Sequence, residues 1–158
     1  MTSSYASGPT PALVAACAKL ASAMAGAHDR WWIIGSAAVA LHGADAGNVR
    51  DVYVLLSRRD AEVICAKHVI PIEPHTPHPL FRSAVFARWT GMPLTIELMA
   101  DLEVAASAGW QRLAPATRQQ FTTAAGSIYV PDRQELAAIL RRFGREKDIV
   151  RAAALDRA

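Results

Sequence analysis

Gly35-Ser36, Asp51 and Glu97 are the residues whose types and order suit phosphate and metal chemistry, and Tyr53 interrupts the set. A strand that runs into Gly-Ser and then a helix offers a place for phosphate. Glycine lets a ligand approach the backbone, and the serine hydroxyl and free N–H groups of a first helical turn can donate to phosphate oxygens. Ser36 also reads as an ordinary N-cap. In Asp51-Val52-Tyr53-Val54-Leu55-Leu56, alternate side chains face opposite ways. Val52, Val54 and Leu56 would face a core, with Asp51 and Tyr53 on the other side. Metal chemistry wants a second carboxylate where Tyr53 stands. A phenol with an ordinary pKa of about 10 is a poor ligand for a hard cation at neutral pH.

The run Leu94 to Met99 alternates in the same way, which puts Glu97 on one face with Thr95 and Met99. An acid flanked by apolar residues in a strand is costly unless paired or ligating. If the two strands are neighbours in suitable register, Asp51 and Glu97 converge near Ser36.

The elements that would hold these residues can be read from pattern. Thr10 and Pro11 start a helix over about 11–27, with Leu13, Cys17, Leu20 and Met24 as its apolar stripe. Trp31 to Ile34 reads as a short buried strand, with one tryptophan buried and the other more exposed. A short helix covers 37–42 and ends at Gly43. Val49 to Leu56 is the second strand. Ser57 caps the next helix with Asp60 three residues on, and that helix runs to about Lys67. Residues 71–79, with prolines at 71, 74, 77 and 79, form a loop. Phe81 to Trp89 reads as one strand that makes a hairpin with Leu94 to Met99 through Gly91-Met92-Pro93. The segment from Leu102 to Ala125 is expected to be helical in part, and Ser127 to Val130 extended. Asp132, with Glu135 at the third position, starts a helix whose buried face is Leu136, Ile139, Leu140 and Phe143, and Gly144 ends it. A last helix covers 146–157. The expected fold is α+β: a small mixed β-sheet flanked by helices, in a single domain over 1–158.

Composition fits this. The chain has 158 residues and is 52% hydrophobic, enough for a real core and too apolar for disorder. Its formal charge is +3, and its 17 basic residues are scattered, so nucleic acid is not indicated as a partner. Cys17 and Cys65 lack CxxC spacing and read as buried core thiols, which suits a reducing cytoplasm. The Ala-rich N-terminal run is interrupted by Lys19 and has no preceding basic cluster, so it does not read as a signal peptide. No apolar run reaches membrane-spanning length. His75 and His78 read as solvated loop residues. Arg82 and Arg88, of one parity, read as a solvated sheet face, with a phosphate or acceptor channel as the alternative. Arg141, Arg142 and Arg145 read as a solvated basic cluster, and Lys147 with Asp148 as an ion pair near a helix start.

Taken in order, Gly35-Ser36, Leu41-His42-Gly43, Asp51-Val52-Tyr53 and Glu97 resemble the nucleotidyltransferase superfamily, with its polymerase-β-like fold. That superfamily includes aminoglycoside nucleotidyltransferases and toxin-type relatives. Val130-Pro131-Asp132 and Gly144-Arg145-Glu146-Lys147-Asp148 look like the toxin-type members. The resemblance spans about residues 30–157. It implies Mg²⁺ ions held by two aspartates and a third acid, a nucleoside triphosphate, and an acceptor hydroxyl that attacks its α-phosphate. Carried onto this chain, Gly35, Ser36 and Lys147 would hold phosphate. Asp51 would be a metal ligand, and Glu97 a ligand or base. The chain departs from the pattern at Tyr53, in the second aspartate position. Gly47 and Val49 stand where relatives have Arg-x-Thr, with Arg50 as a displaced arginine. Asp45 and Asp60 are candidates for a replacement carboxylate. The resulting expectation is a catalytically impaired nucleotidyltransferase-fold protein that binds a nucleotide or acts as a regulatory or partner subunit, with Mg²⁺ binding weakened and a homodimer or partner protein supplying what the short chain lacks. The alternative is an active metal-dependent enzyme that moves a nucleoside monophosphate to a hydroxyl of a small molecule, RNA or protein.

Overall fold

Local chemistry starts most of the helices. The computed structural model describes residues 8–157. Thr10 Oγ1 accepts from the Leu13 N–H at 3.2 Å and Pro11 fills the first position of α1 (Pro11–Ala23). Leu13, Cys17, Leu20 and Met24 are buried as one stripe. The helix stops at Ala23, short of 27, because the chain turns through Gly26 with Ala27 N bonded to Met24 O at 3.0 Å. There follow β1 (Trp32–Ile34), α2 (Gly35–Leu41), β2 (Asp51–Leu56) and α3 (Arg58–His68). Ser57 Oγ accepts from Asp60 N at 3.2 Å to open α3. Next come β3 (Phe81–Arg82), β4 (Val85–Trp89), β5 (Thr95–Ala100), β6 (Glu103–Ala106), β7 (Gly109–Arg112), β8 (Gln119–Thr123) and β9 (Gly126–Val130). The chain closes on α4 (Arg133–Phe143) and α5 (Glu146–Arg157). Asp132 Oδ1 accepts from Glu135 N at 2.7 Å to start α4, and Gly144, with φ +75°, ends it.

The fold is α+β. A mixed four-stranded sheet runs β1-β2-β5-β4, with β2 parallel to β5 and the other pairs antiparallel. One face of it is the main core: Ile33, Val52, Val54, Leu56, Ile96 and Leu98 are buried against α1, α2 and α3 side chains. Each such aliphatic side chain removed from water contributes about 1.5–3 kcal/mol before entropy is counted. The other face carries a smaller cluster, with Ile34 and Leu55 packed on Leu102, Val104, Ile139 and Phe143. Trp32, Tyr53, Phe81 and Met99 cover that cluster only in part.

Two expectations are corrected. The segment from Leu102 to Ala125 contains no helix; it forms β6, β7 and β8. Its alanines favour helix, but two-residue loops decide the matter. Ala106 pairs with Gly109 and Thr123 with Gly126, and both glycines adopt positive φ. The run Phe81 to Trp89 is not one strand. It breaks at Ser83-Ala84, so that β3 pairs with β6 in a second sheet while β4 stays with β5.

The Leu41-His42-Gly43 stretch ties α2 to α4. His42 Nε2 donates to Pro131 O at 2.8 Å, and Arg133 Nη2 donates to His42 O at 2.6 Å. Burial holds the His42 pKa below its usual value, so the ring is a neutral staple. Trp31 is buried edge-on against Tyr129, while Trp32 donates from Nε1 to Thr117 O at 2.9 Å. Both cysteines are buried, and desolvation pushes the Cys17 thiol up to about 12. Among the described residues no helix is long and apolar enough to cross a membrane.

Candidate functional site

The less covered face of the sheet carries the candidate residues. Register builds a row across it: Ile34 pairs with Tyr53, Tyr53 with Glu97, and Glu97 with Arg88. Asp51 stands one same-face step along β2, paired with Thr95. The parallel pairing of β2 with β5 therefore brings Asp51, Tyr53 and Glu97 together on one face. All three are partly exposed, and the residues between them are buried.

Their charges are coupled. Burial raises the Glu97 pKa, repulsion from Asp51 raises it further, and Arg88 offsets part of this. The Arg88 Nε to Glu97 Oε2 contact is 3.6 Å, too long for a hydrogen bond. Burial also raises the Tyr53 pKa, with Glu97 and then Asp51 adding to it, so the phenol stays protonated at neutral pH. The guanidiniums of Arg145 and Arg151 act on Tyr53 in the opposite sense.

Tyr53 also meets the glycine turn. Gly35 has φ +71°, and a Cβ built there would lie 2.9 Å from Tyr53 Cδ2. Only glycine fits beneath the ring. The N-cap position of α2 falls on Ile34, which has no side chain able to cap, so Ser36 is not the N-cap. Ser36 lies half-buried in the first turn.

A metal pair does not fit the residues present. Asp51 and Glu97 are the carboxylates that β2 and β5 supply to this face, and Tyr53 takes the position between them. Among the described residues, no group of three or more His, Cys, Asp or Glu side chains is arranged to hold a metal ion. Asp60 is no substitute. It is buried 31 and 32 residues from its partners Asp29 and His28, whose N–H groups it accepts at 2.9 Å each. Asp45 Oδ1 accepts from Gly47 N at 2.9 Å in an exposed loop, and Arg50 is exposed.

Arg145 is the residue that sequence reading missed. Its Nε donates to Asp148 Oδ2 at 2.6 Å and its Nη2 to Oδ1 at 3.2 Å. Asp148 is buried and pairs with Arg145, not with Lys147. Arg145 is therefore no member of a solvated cluster, although Arg141 pairs with Asp156 and Arg142 with Gln111 at the surface. The one available signal was a basic residue three before an acid at a helix start. Lys147 is exposed and lines a separate groove with Asp45 and Gly47. Arg82 pairs with Glu103 in the second sheet, and Arg88 stands beside Glu97 in the first; both line the pocket beside that carboxylate.

Beside Glu97 and Tyr53 opens a pocket of about 410 Å³. Arg88 and Arg145 line it, and the proline-rich stretch from Glu73 to His78 forms one wall. That stretch is a loop as expected, with His75 and His78 exposed. It is held to the sheet by an Ile72–Ala87 bridge and a Glu73 N to Phe86 O bond of 2.8 Å.

No family model and no curated protein matches the sequence. Solved structures do. TM1012 of Thermotoga maritima, a provisionally assigned nucleotidyltransferase, superposes with a TM-score of 0.71 at 17% identity, over 93% of this chain and 92% of that one. The lincosamide antibiotic adenylyltransferase LnuA, bound to lincomycin, gives a TM-score of 0.57 at 12% identity, over 94% of this chain and 98% of that one. At these identities the likeness is one of fold, and the chain has the nucleotidyltransferase fold.

Proposed function

We propose that this chain is a nucleotide-binding protein in which standard two-metal nucleotidyl transfer is lost or strongly reduced, and that it acts as a nucleotide sensor or as the partner subunit of another protein or of a second copy. The observation that carries this reading is the place of Tyr53. It pairs with Glu97 on the face that also holds Asp51, and its ring lies against Gly35. A protonated phenol there can donate one hydrogen bond but cannot neutralise a cation. Gly35 and Ser36 would receive phosphate at the start of α2, with Arg145 and Arg151, whose charges reach Tyr53, adding positive potential. Any Mg²⁺ would be held weakly, by Asp51 and Glu97 alone, and would screen the triphosphate.

An active transferase is the second reading, and one observation favours it. Asp51 and Glu97 lie on adjacent parallel strands, near enough for Asp51 to raise the Glu97 pKa. A carboxylate with a raised pKa is suited to take a proton from an acceptor hydroxyl. LnuA, of like fold, is an adenylyltransferase of a small molecule. Calorimetric titration with ATP, GTP, CTP and UTP, with and without Mg²⁺, separates the two readings. Weak binding with little metal dependence supports the first. Tight Mg²⁺-dependent binding with pyrophosphate release supports the second.

A further inference from the structure

Helix α5 carries apolar residues on two sides. Ala152 and Leu155, with Asp148, are buried on one. On the opposite side Glu146, Val150, Ala153 and Arg157 recur at steps of four, three and four, so they form one stripe down the helix. Ile149 stands beside that stripe. Val150 is 60% exposed and Ile149 45%. Val14 on α1 and Val63 on α3 are exposed too, but among the described residues each is the one large apolar side chain that its helix leaves in water. Helix α5 leaves two, at adjoining positions and between charges. Steps of four and three are the spacing of a seam where two helices pack side by side.

The two charges that bracket the stripe decide what covers it. Glu146 lies in the first turn and Arg157 in the last, and both are exposed. Among the described residues neither has an ion-pair partner, whereas Asp148 and Asp156 are taken by Arg145 and Arg141. Each sign suits the end of the helix dipole on which it stands. Glu146 and Arg157 are equidistant from the middle of the stripe, and so are Val150 and Ala153. A second α5 laid antiparallel on the first therefore sets each Glu146 against the partner's Arg157 and each Val150 against the partner's Ala153. A face that is its own complement about a two-fold axis is what an isologous contact requires. A parallel neighbour would oppose like charges at both ends. A surface of one sign would satisfy one end and repel the other.

We infer that α5 is the contact of a homodimer, in which two copies pack antiparallel along Glu146, Val150, Ala153 and Arg157. The small Ala153 side chain lets the helices approach near the centre. A helix of 12 residues is about 18 Å long, so the contact is at the small end of specific interfaces and exchanges readily. This contact supplies the second copy of the proposed function and needs none of its nucleotide chemistry.

The test is sedimentation equilibrium of the full chain without nucleotide, from about 10 µM to about 1 mM. The expected mass rises toward twice that of the monomer over this range. Glu146→Arg and Arg157→Glu, each alone, put like charges at both ends of the contact and should each weaken association about tenfold or more. An equimolar mixture of the two variants should associate as wild type does, because each end of the mixed pair again holds opposite charges. Amide NMR shifts of wild type on dilution should concentrate at Ile149, Val150 and Ala153. Should either charge variant fail to fold, these shifts and the loss of association in Val150→Asp decide. A wild-type chain that stays monomeric at the highest concentration, dilution shifts elsewhere, single variants that associate as wild type, or a mixture no stronger than its components would overturn the proposal. Shifts at Ile149 and Val150 that appear only with vesicles containing phosphatidylglycerol would overturn it too, and would assign the face to a lipid surface. With no nucleotide present, loss of the dimer leaves the nucleotide reading standing, and a dimer that binds no nucleotide does the reverse.

Discussion

The ring of Tyr53 lies over Gly35 so closely that a Cβ at Gly35 would come within 2.9 Å of Tyr53 Cδ2. The side chain that pairs with Glu97 across the sheet is thus also the one packed on the glycine turn.

Gly35→Ala should destabilise the fold by about 2 kcal/mol, from the positive φ together with the contact on Tyr53. In a Tyr53→Ala background the contact is gone, and the same change should cost only about 1 kcal/mol. Urea denaturation of the four proteins measures the coupling. Additive effects would mean that the ring does not press on the turn.

Asp148→Ala should cost about 2–3 kcal/mol, because it strips Arg145 of both carboxylate bonds and leaves a half-buried guanidinium unmatched. Lys147→Ala should lie within about 0.5 kcal/mol of wild type, since Lys147 is exposed and Asp148 is not its partner. Thermal melts compare the two. Equal losses would contradict the assignment of Asp148 to Arg145.

Asp60 offers a pH signature. Burial pushes its pKa up, but the His28 and Asp29 N–H groups, with His28 and Ser57 side chains, outweigh that and hold it low. A depressed folded pKa gives stability that is present above the unfolded value, about 3.9, and is lost as pH falls through the folded one. Wild type should therefore lose stability below about pH 4 more steeply than Asp60→Asn. At neutral pH Asp60→Ala should cost about 3 kcal/mol, through two orphaned N–H groups.

Glu97 has the opposite sign. Its raised folded pKa gives stability that is present below the unfolded value and lost as pH rises through the folded one. Glu97→Gln should gain on wild type as pH climbs from about 4 toward neutrality, in denaturation curves taken without metal. A gap that narrows over that range would contradict the burial and the Asp51 repulsion.

What could be read in advance was whatever local chemistry decides. Thr10, Ser57 and Asp132 cap their helices from side chains three residues away, and the alternation of β2 and β5 puts Asp51, Tyr53 and Glu97 on one face. What could not be read depends on distant partners. Phe81 to Trp89 has an unbroken strand pattern, and it divides only because Phe81 meets Val104 while Val85 meets Ala100. The alanines around 105 and 125 speak for helix, and short glycine-ended hairpins overrule them. Arg145 looks like surface charge until Asp148, buried one turn on, turns it toward the pocket.

The most direct test of the impaired-site account is calorimetric titration of wild type and Tyr53→Asp with ATP, GTP, CTP and UTP, with and without Mg²⁺. Tyr53→Asp takes the ring away from Gly35 and adds a third carboxylate beside Asp51 and Glu97. The account predicts weak metal dependence in wild type and about tenfold or greater Mg²⁺ enhancement in Tyr53→Asp. Tight Mg²⁺-dependent triphosphate binding by wild type, with pyrophosphate released, would contradict it.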